Sequence, residues 1–247
     1  MKLAKYLANL GYGSRKEAMR LVEQRRVTRA NGTVVVEGDK FEHSELRVDG
    51  APLDPPPGAL IMMNKPAGYV CSTSDVPPLV YELLPPRFLH RSPVIATVGR
   101  LDRETSGLLL LTDDGKLNHR LTSPRSHIPK TYEAWLASDL QGDEAERFAS
   151  GTLRLESDPE PVAPAQLAPL DARHVRITVY EGRYHQVRRM FAAVGNHVDR
   201  LARVAIGGLT LGDLAVGSWR VLPEDEHALL TAVSEAPRSG AATPDEA

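Results

Sequence analysis

The chain of 247 residues has one cysteine, Cys71, so an internal disulfide is excluded and the sequence suits a reducing compartment. No apolar run approaches the roughly 20 residues needed to cross a bilayer. Met1-Lys2-Leu3-Ala4-Lys5 leads into an amphipathic pattern and not into a signal-peptide core. The expectation is a cytoplasmic protein with no membrane partner. The eight histidines and the lone cysteine show none of the spacings that hold zinc, so no metal is expected. Gly-rich phosphate loops of the Walker or dinucleotide type are missing, and so is Gly-x-Ser-x-Gly. An enzyme built on this chain would have to work without metal, nucleotide cofactor or serine triad. A carboxylate nucleophile fits that restriction.

Net charge is nearly missing too, at −2, but the charges are unevenly placed. Residues 1–30 hold eight basic side chains (Lys2, Lys5, Arg15, Lys16, Arg20, Arg25, Arg26 and Arg29) against Glu17 and Glu23. Residues 183–203 hold Arg183, Arg188, Arg189, Arg200 and Arg203 against Asp199 alone, whereas 139–171 are acidic. Two basic patches in a near-neutral chain read as an electrostatic footprint for a polyanion. Solvated helix faces would also produce such clusters.

What is present divides the chain near Pro55-Pro56-Pro57-Gly58, a stiff connector that can join neither a helix nor a central strand. Before it, Leu3, Leu7 and Leu10 predict a helix over 2–10, and Ser14 with Glu17 forms a capping-box pattern opening a second. Asn31-Gly32 between Val27-Thr28 and Val34-Val35-Val36 predicts a hairpin. After the connector, strands are expected at 60–63, 94–98, 108–111, 130–136, 166–170, 174–180, around 201–205 and at 219–222. The prolines of 74–93 predict either an ordered excursion or a mobile loop. A short helix is expected through Leu117 and Leu121, and a last one over 224–232. Between these, Val187, Met190, Phe191 and Val194 fix the buried face of a helix introduced by Gly182, with Arg183, Tyr184 and His185 in its first turn. The fold class is α+β, with a helix-helix-hairpin domain at 1–55, a mixed, mainly antiparallel domain at 59–233 and a disordered tail at 234–247.

One acidic side chain stands out. Asp102 lies in the polar turn Gly99–Gly107, between two apolar runs that read as buried strands. Loops on rigid scaffolds carry reactive groups, although an aspartate in such a turn also serves as a hydrogen-bonder to its own backbone. To stay ionised in a closed site it needs a fixed cation, for which Arg188, Arg189 and Arg203 are candidates. Chemistry on a nucleobase further requires an aromatic face to hold the unstacked base. Tyr132 is the best-placed aromatic, core packing being its other reading.

At this point several motifs fall into order. Lys65-Pro66-x-Gly68, Gly99-Arg100-Leu101-Asp102-Arg103-x-Thr-Ser-Gly, Lys130-Thr131-Tyr132, the run from Glu181 to Met190, and Leu201-x-Arg203-x-x-Ile206-Gly207 together resemble the pseudouridine synthases of the RsuA and RluA superfamily. The early Lys-Leu-x-Lys-x-Leu, Gly-x-x-Ser-Arg, Asn31-Gly32 and Val48-Asp49-Gly50 resemble the S4 RNA-binding module, departing from it at Ala4 and at Arg29-Ala30. The resemblance covers nearly the whole chain before the tail. It implies that Asp102 is the nucleophile, that Tyr132 packs on the flipped uracil and takes part in proton transfer, and that Arg188 pairs with the aspartate. Leu201 would line the base pocket, Arg100 and Arg203 would contact RNA or support the site, Lys65 would bind substrate, and Lys2, Lys5, Arg15, Lys16, Arg20, Arg25 and Arg26 would bind RNA.

No cofactor is implied. Tyr184-His185-Gln186-Val187, the Met190–Val198 continuation and Ile206-Gly207-Gly208-Leu209 are similar to the RsuA-type group, which acts on small-subunit (16S) ribosomal RNA, whereas large-subunit relatives more often carry Asn-Arg in place of Tyr184-His185. The expected partner is ribosomal RNA, free or in a partly assembled small-subunit particle, bound by a monomer. Two rival readings are a large-subunit (23S) pseudouridine synthase and a non-catalytic S4-type RNA-binding or ribosome assembly factor. An aspartate-based glycosidase lacks its second carboxylate, Glu104 being only two residues away.

Overall fold

A computed structural model gives the structure of residues 1–231, except Ser157 and the side chain of Pro124. The expected tail at 234–247, and residues 232–233 of the expected second domain, lie outside the described residues.

The first unit follows from local signals. Helix α1 (Leu3–Asn9) buries Leu3 and Leu7, and Gly11 follows it at a φ of +89°. Ser14 caps α2 (Arg15–Glu23): its hydroxyl accepts the Glu17 N–H, and the Glu17 carboxylate accepts the Ser14 N–H at 2.7 Å. Strands β1 (Val27–Arg29), β2 (Leu46–Val48) and β3 (Ala51–Pro52) form an antiparallel sheet in that order. The expected hairpin across Asn31-Gly32 is reduced to one bridge, Thr28 to Val34, and β1 pairs along its length with β2. The reason is burial: of the three valines only Val35 is buried and Val36 is exposed, whereas β2 sends both Leu46 and Val48 into the core.

The second unit is one mixed sheet. Its elements are β4 (Leu60–Lys65), β5 (Ala96–Val98), β6 (Thr105–Thr112), α3 (Gly115–Thr122), β7 (Lys130–Leu136), α4 (Glu144–Ala149), β8 (Gln166–Pro169), β9 (His174–Val179), α5 (Gln186–Ala193), β10 (Val198–Ile206), β11 (Leu209–Thr210), β12 (Trp219–Val221) and α6 (Glu224–His227). The strand order is β12-β4-β6-β10-β7-β9-β8, with β5 beside β6 and β11 beside β10. Every pairing is antiparallel except β6 with β10. Both faces of β4 and β6 are covered, which is why their sequences are continuously apolar. Leu60, Met62, Leu108 and Leu110 pack with Leu117 and Leu121 of α3 on one face. Ile61, Met63, Leu109 and Leu111 meet Val80, Tyr81, Leu84 and Phe88 on the other. The proline-broken segment is thus an ordered excursion of two 3-10 turns, Val80–Leu83 and Pro86–His90.

Element ends differ from expectation where exposure decides them. Val94 is exposed and β5 starts only at Ala96. The last helix is one α turn continued as a 3-10 turn to Thr231. The joint between the units is fixed: Arg91 is buried, and its guanidinium binds Asp113 at 2.7 Å and donates to the carbonyls of Pro55 and Pro56. Asp113 also accepts the Gly58 N–H at 2.7 Å.

The parallel junction of β6 and β10 requires a glycine. Gly107 has a φ of +100°, and a Cβ there would lie 2.2 Å from the Arg203 carbonyl oxygen. Gly107→Ala is expected to destabilise the second unit by about 2–5 kcal/mol, combining a left-handed backbone with overpacking; a denaturant midpoint equal to that of the parent protein would contradict this contact.

Candidate active site

Asp102 lies in the loop that runs from β5 into β6, and the loop is held from below. Lys65, the last residue of β4, is wholly buried. Its Nζ donates to the carbonyls of Pro66, Asp102, Arg103 and Thr105 at 3.0, 3.2, 3.1 and 2.7 Å. A second clasp runs between the loops, with the Gly68 N–H on the Arg103 carbonyl at 2.7 Å and Arg103 Nε on the Gly68 carbonyl at 3.1 Å. The motif leads us to expect Lys65 to bind substrate; instead its buried ammonium holds the loop backbone. Paired opposite Gly107 in the sheet, it points beneath the loop, and its ammonium is occupied by backbone carbonyls. Burial pulls its pKa down, and the nearby Cys71, Glu104 and Asp102 oppose that shift.

The loop borders a cleft of about 220 Å³. Sheet register assembles its walls: Leu201 of β10 lies opposite Thr105 of β6, and Arg203 lies opposite Tyr132 of β7 and Gly107 of β6. Asp102, Tyr132, Leu201, Arg203 and the exposed Arg100 all line it. The sequence-expected residues therefore converge, with Arg188 and Lys65 as the exceptions. Arg203 is buried and spends Nε on the Leu108 carbonyl at 2.8 Å. Among the described residues its Nη2, Thr105 Oγ1 and Tyr180 Oη are buried without a hydrogen-bond partner, and all three belong to lining residues. An orphaned buried polar group costs about 1–3 kcal/mol, so this wall suits a ligand with its own polar edge. Burial raises the pKa of Tyr180, and burial followed by the charge of Arg203 lowers that of Lys130, which also lines the cleft.

The group beside Asp102 is not the expected arginine. Arg188 makes no ion pair with it; Nη1 is drawn instead to the Val198 carbonyl at 2.6 Å, at the start of β10. The group against the carboxylate is His185, whose Nε2 lies 3.4 Å from Asp102 Oδ1. Sequence reasoning placed His185 in the first turn of a helix. The helix begins one residue later, and His185 precedes it with a φ of +49°. The signal for it was its place in the Tyr-His-Gln-Val run.

The second basic patch is largely internal. Arg183 binds Asp158, Glu181 and the carbonyls of Glu160 and Pro161. Arg189 binds Asp158 and the carbonyls of Glu156 and Tyr184. Arg200 lies 3.4 Å over the Trp135 ring. Charge counting could not see these partners, of which Asp158 and the carbonyls of Glu156, Glu160 and Pro161 come from the acidic segment. The first patch is different: Lys2, Lys5, Arg15, Lys16, Arg20 and Arg25 are exposed, and Arg26 alone of the expected RNA-binding set is tied, to Asp49 at 2.6 and 2.7 Å.

Residues 59–193 match the family model for RNA pseudouridylate synthase, and the chain belongs to that family of isomerases. It is 44% identical over 236 residues to the ribosomal small subunit pseudouridine synthase A of Escherichia coli K12, covering 92% of this chain and 99% of that one. The protein of the same name from Yersinia pestis is 44% identical over 234 residues, with 92% and 97% covered. A solved crystal structure of a pseudouridylate synthase superposes with a TM-score of 0.66 at 36% identity, covering 93% of this chain and 99% of that one.

Proposed function

We propose that this protein converts a uridine of small-subunit ribosomal RNA to pseudouridine in the cytoplasm, acting as a monomer on free RNA or on a partly assembled small-subunit particle. The observation that carries the reading is the Asp102 carboxylate, 3.4 Å from an imidazole and set into a cleft lined by Tyr132, Leu201 and Arg203. In the isomerisation the bond from ribose C1′ to uracil N1 breaks and one from C1′ to C5 forms; N1 gains a proton and C5 gives one up, so no cofactor or redox partner is required. Asp102 is the nucleophile, Tyr132 packs on the uracil and serves the proton transfer, and Leu201 bounds the base pocket. Arg203 Nη2 and Thr105 Oγ1 are free to meet the polar edge of the base.

The two helices and small sheet of residues 1–55 act as an S4-type RNA-binding module through the exposed basic residues of α1 and α2. Support comes from their freedom: Arg15, Lys16 and Arg20 gather with Met19 and Glu23 around a surface hollow and make no ion pair among the described residues. Replacing those three with glutamine is expected to flatten the dependence of log affinity on log salt by about 2, at roughly 0.7 per neutralised phosphate contact on single-stranded RNA. An unchanged slope in binding titrations would remove this face from the RNA interface.

The substrate is tested by incubating the purified protein with small-subunit RNA, large-subunit RNA and small-subunit particles, then mapping pseudouridine by sequencing. A single new site in small-subunit RNA is expected. Modification confined to large-subunit RNA would overturn the substrate, and binding without modification of any would favour the assembly-factor reading.

A further inference from the structure

Beside the cleft stands an aromatic pair whose outer ring the reaction has not used. The rings of Tyr184 and His185 are stacked, with centroids 3.8 Å apart and planes 16° from parallel. One face of Tyr184 is covered by the imidazole, yet the residue remains 72% exposed, the most exposed aromatic among the described residues. His185 lines the cleft and touches Asp102, so the stack begins at the catalytic carboxylate and ends in solvent.

The pair is held rigidly. His185 adopts a left-handed backbone, φ +49° and ψ +31°, which a residue with a side chain takes up only under constraint. Arg189 donates to the Tyr184 carbonyl at 3.2 Å, and the Arg183 N–H donates to Gln186 Oε1 at 2.9 Å. Arg183 in turn is anchored on Asp158, Glu181 and two carbonyls. The arginines that looked like phosphate contacts instead fix an aromatic surface in place, which lowers the ordering cost of anything that docks on it.

We propose that Tyr184 and His185 form a stacking platform for the base adjacent to the uridine being isomerised. A uridine drawn out of its stack leaves its neighbour with an uncovered face, and the open face of Tyr184 replaces that lost partner. The platform rests on the reading of the cleft as the site of uridine isomerisation. Tyr184 is a positioning residue: it holds the neighbour and so sets where the target enters, without touching the reacting atoms.

The test uses the full chain with small-subunit ribosomal RNA and compares wild type, Tyr184→Ala and Tyr184→Phe. Tyr184→Ala is expected to raise KM at least about fivefold, the lower end of what one stacked base contributes, with kcat within about twofold. Tyr184→Phe keeps the ring and is expected to match wild type. As a second measurement, an abasic nucleotide is placed on each side in turn of the uridine that the wild type modifies. On one side it should cost the wild type the same factor and cost Tyr184→Ala nothing further. An unchanged KM for Tyr184→Ala, a loss confined to kcat, or a phenylalanine variant as impaired as the alanine one would each overturn the platform. An inactive wild type would instead overturn the proposed function. Thermal melts of the variants should superpose, because the ring is exposed.

Discussion

Asp102→Asn is expected to lower pseudouridine formation by about a thousandfold or more while RNA affinity stays within about twofold of wild type. The expectation rests on chemistry, not on folding. The amide has the size of the carboxylate but cannot form the covalent bond to substrate that a carboxylate nucleophile must. The side chain is 35% exposed, and the His185 imidazole at 3.4 Å is the one ionisable group against it among the described residues, so little packing is at stake. Loss of an essential nucleophile typically removes several orders of magnitude because the remaining groups act only in concert with it. Single-turnover assays on ribosomal RNA would measure this. A variant retaining a tenth of the activity would refute Asp102 as nucleophile, and equal inactivity of both proteins would point to a site that has lost its chemistry.

Lys65→Met should be nearly as damaging, for a different reason. Methionine fills much of the volume but leaves the carbonyls of Pro66, Asp102, Arg103 and Thr105 without their shared donor. Buried carbonyls left without a donor cost about 1–3 kcal/mol each, so a loss of about 3–5 kcal/mol is expected. In a domain of this size that corresponds to a drop in Tm of roughly 10 °C. The loop carrying Asp102 would also lose its support, and a displacement of about 1 Å at a reacting group can cost roughly a hundredfold in rate. Both readouts should move together in Lys65→Met. A variant with full activity and an unchanged Tm would show that the loop holds itself.

Some of this was written plainly in the residues. The continuous apolar runs of β4 and β6 announced strands buried on both faces, and Ser14 with Glu17 announced the start of α2. Asp102, Tyr132, Leu201 and Arg203 were legible as a group because their motifs follow one another in a fixed order; sheet register gathers the last three, and the β5–β6 loop brings Asp102 to the same cleft. Lys65 was misread because periodicity tells which faces of a strand are apolar but not where a flexible amine at its end will find acceptors. The arginines after Gly182 were misread because a charge count is blind to partners distant in sequence: Asp158 lies 25 residues from Arg183 and 31 from Arg189. For His185, neither composition nor spacing says that a left-handed residue ahead of α5 turns its ring onto a carboxylate from another loop.

The buried Arg91 has a bearing on how RNA is selected. With the carbonyls of Pro55 and Pro56 and the carboxylate of Asp113 all committed to one guanidinium, the connector has no slack to take up. Two binding surfaces on a floppy tether accept ligands over a range of spacings, whereas two on a stiff joint accept one spacing and reject others sharply. Under the proposed function, the protein works as a caliper: the stretch of RNA between the structure gripped by α1 and α2 and the uridine at Asp102 becomes part of what is recognised, as surely as the base itself.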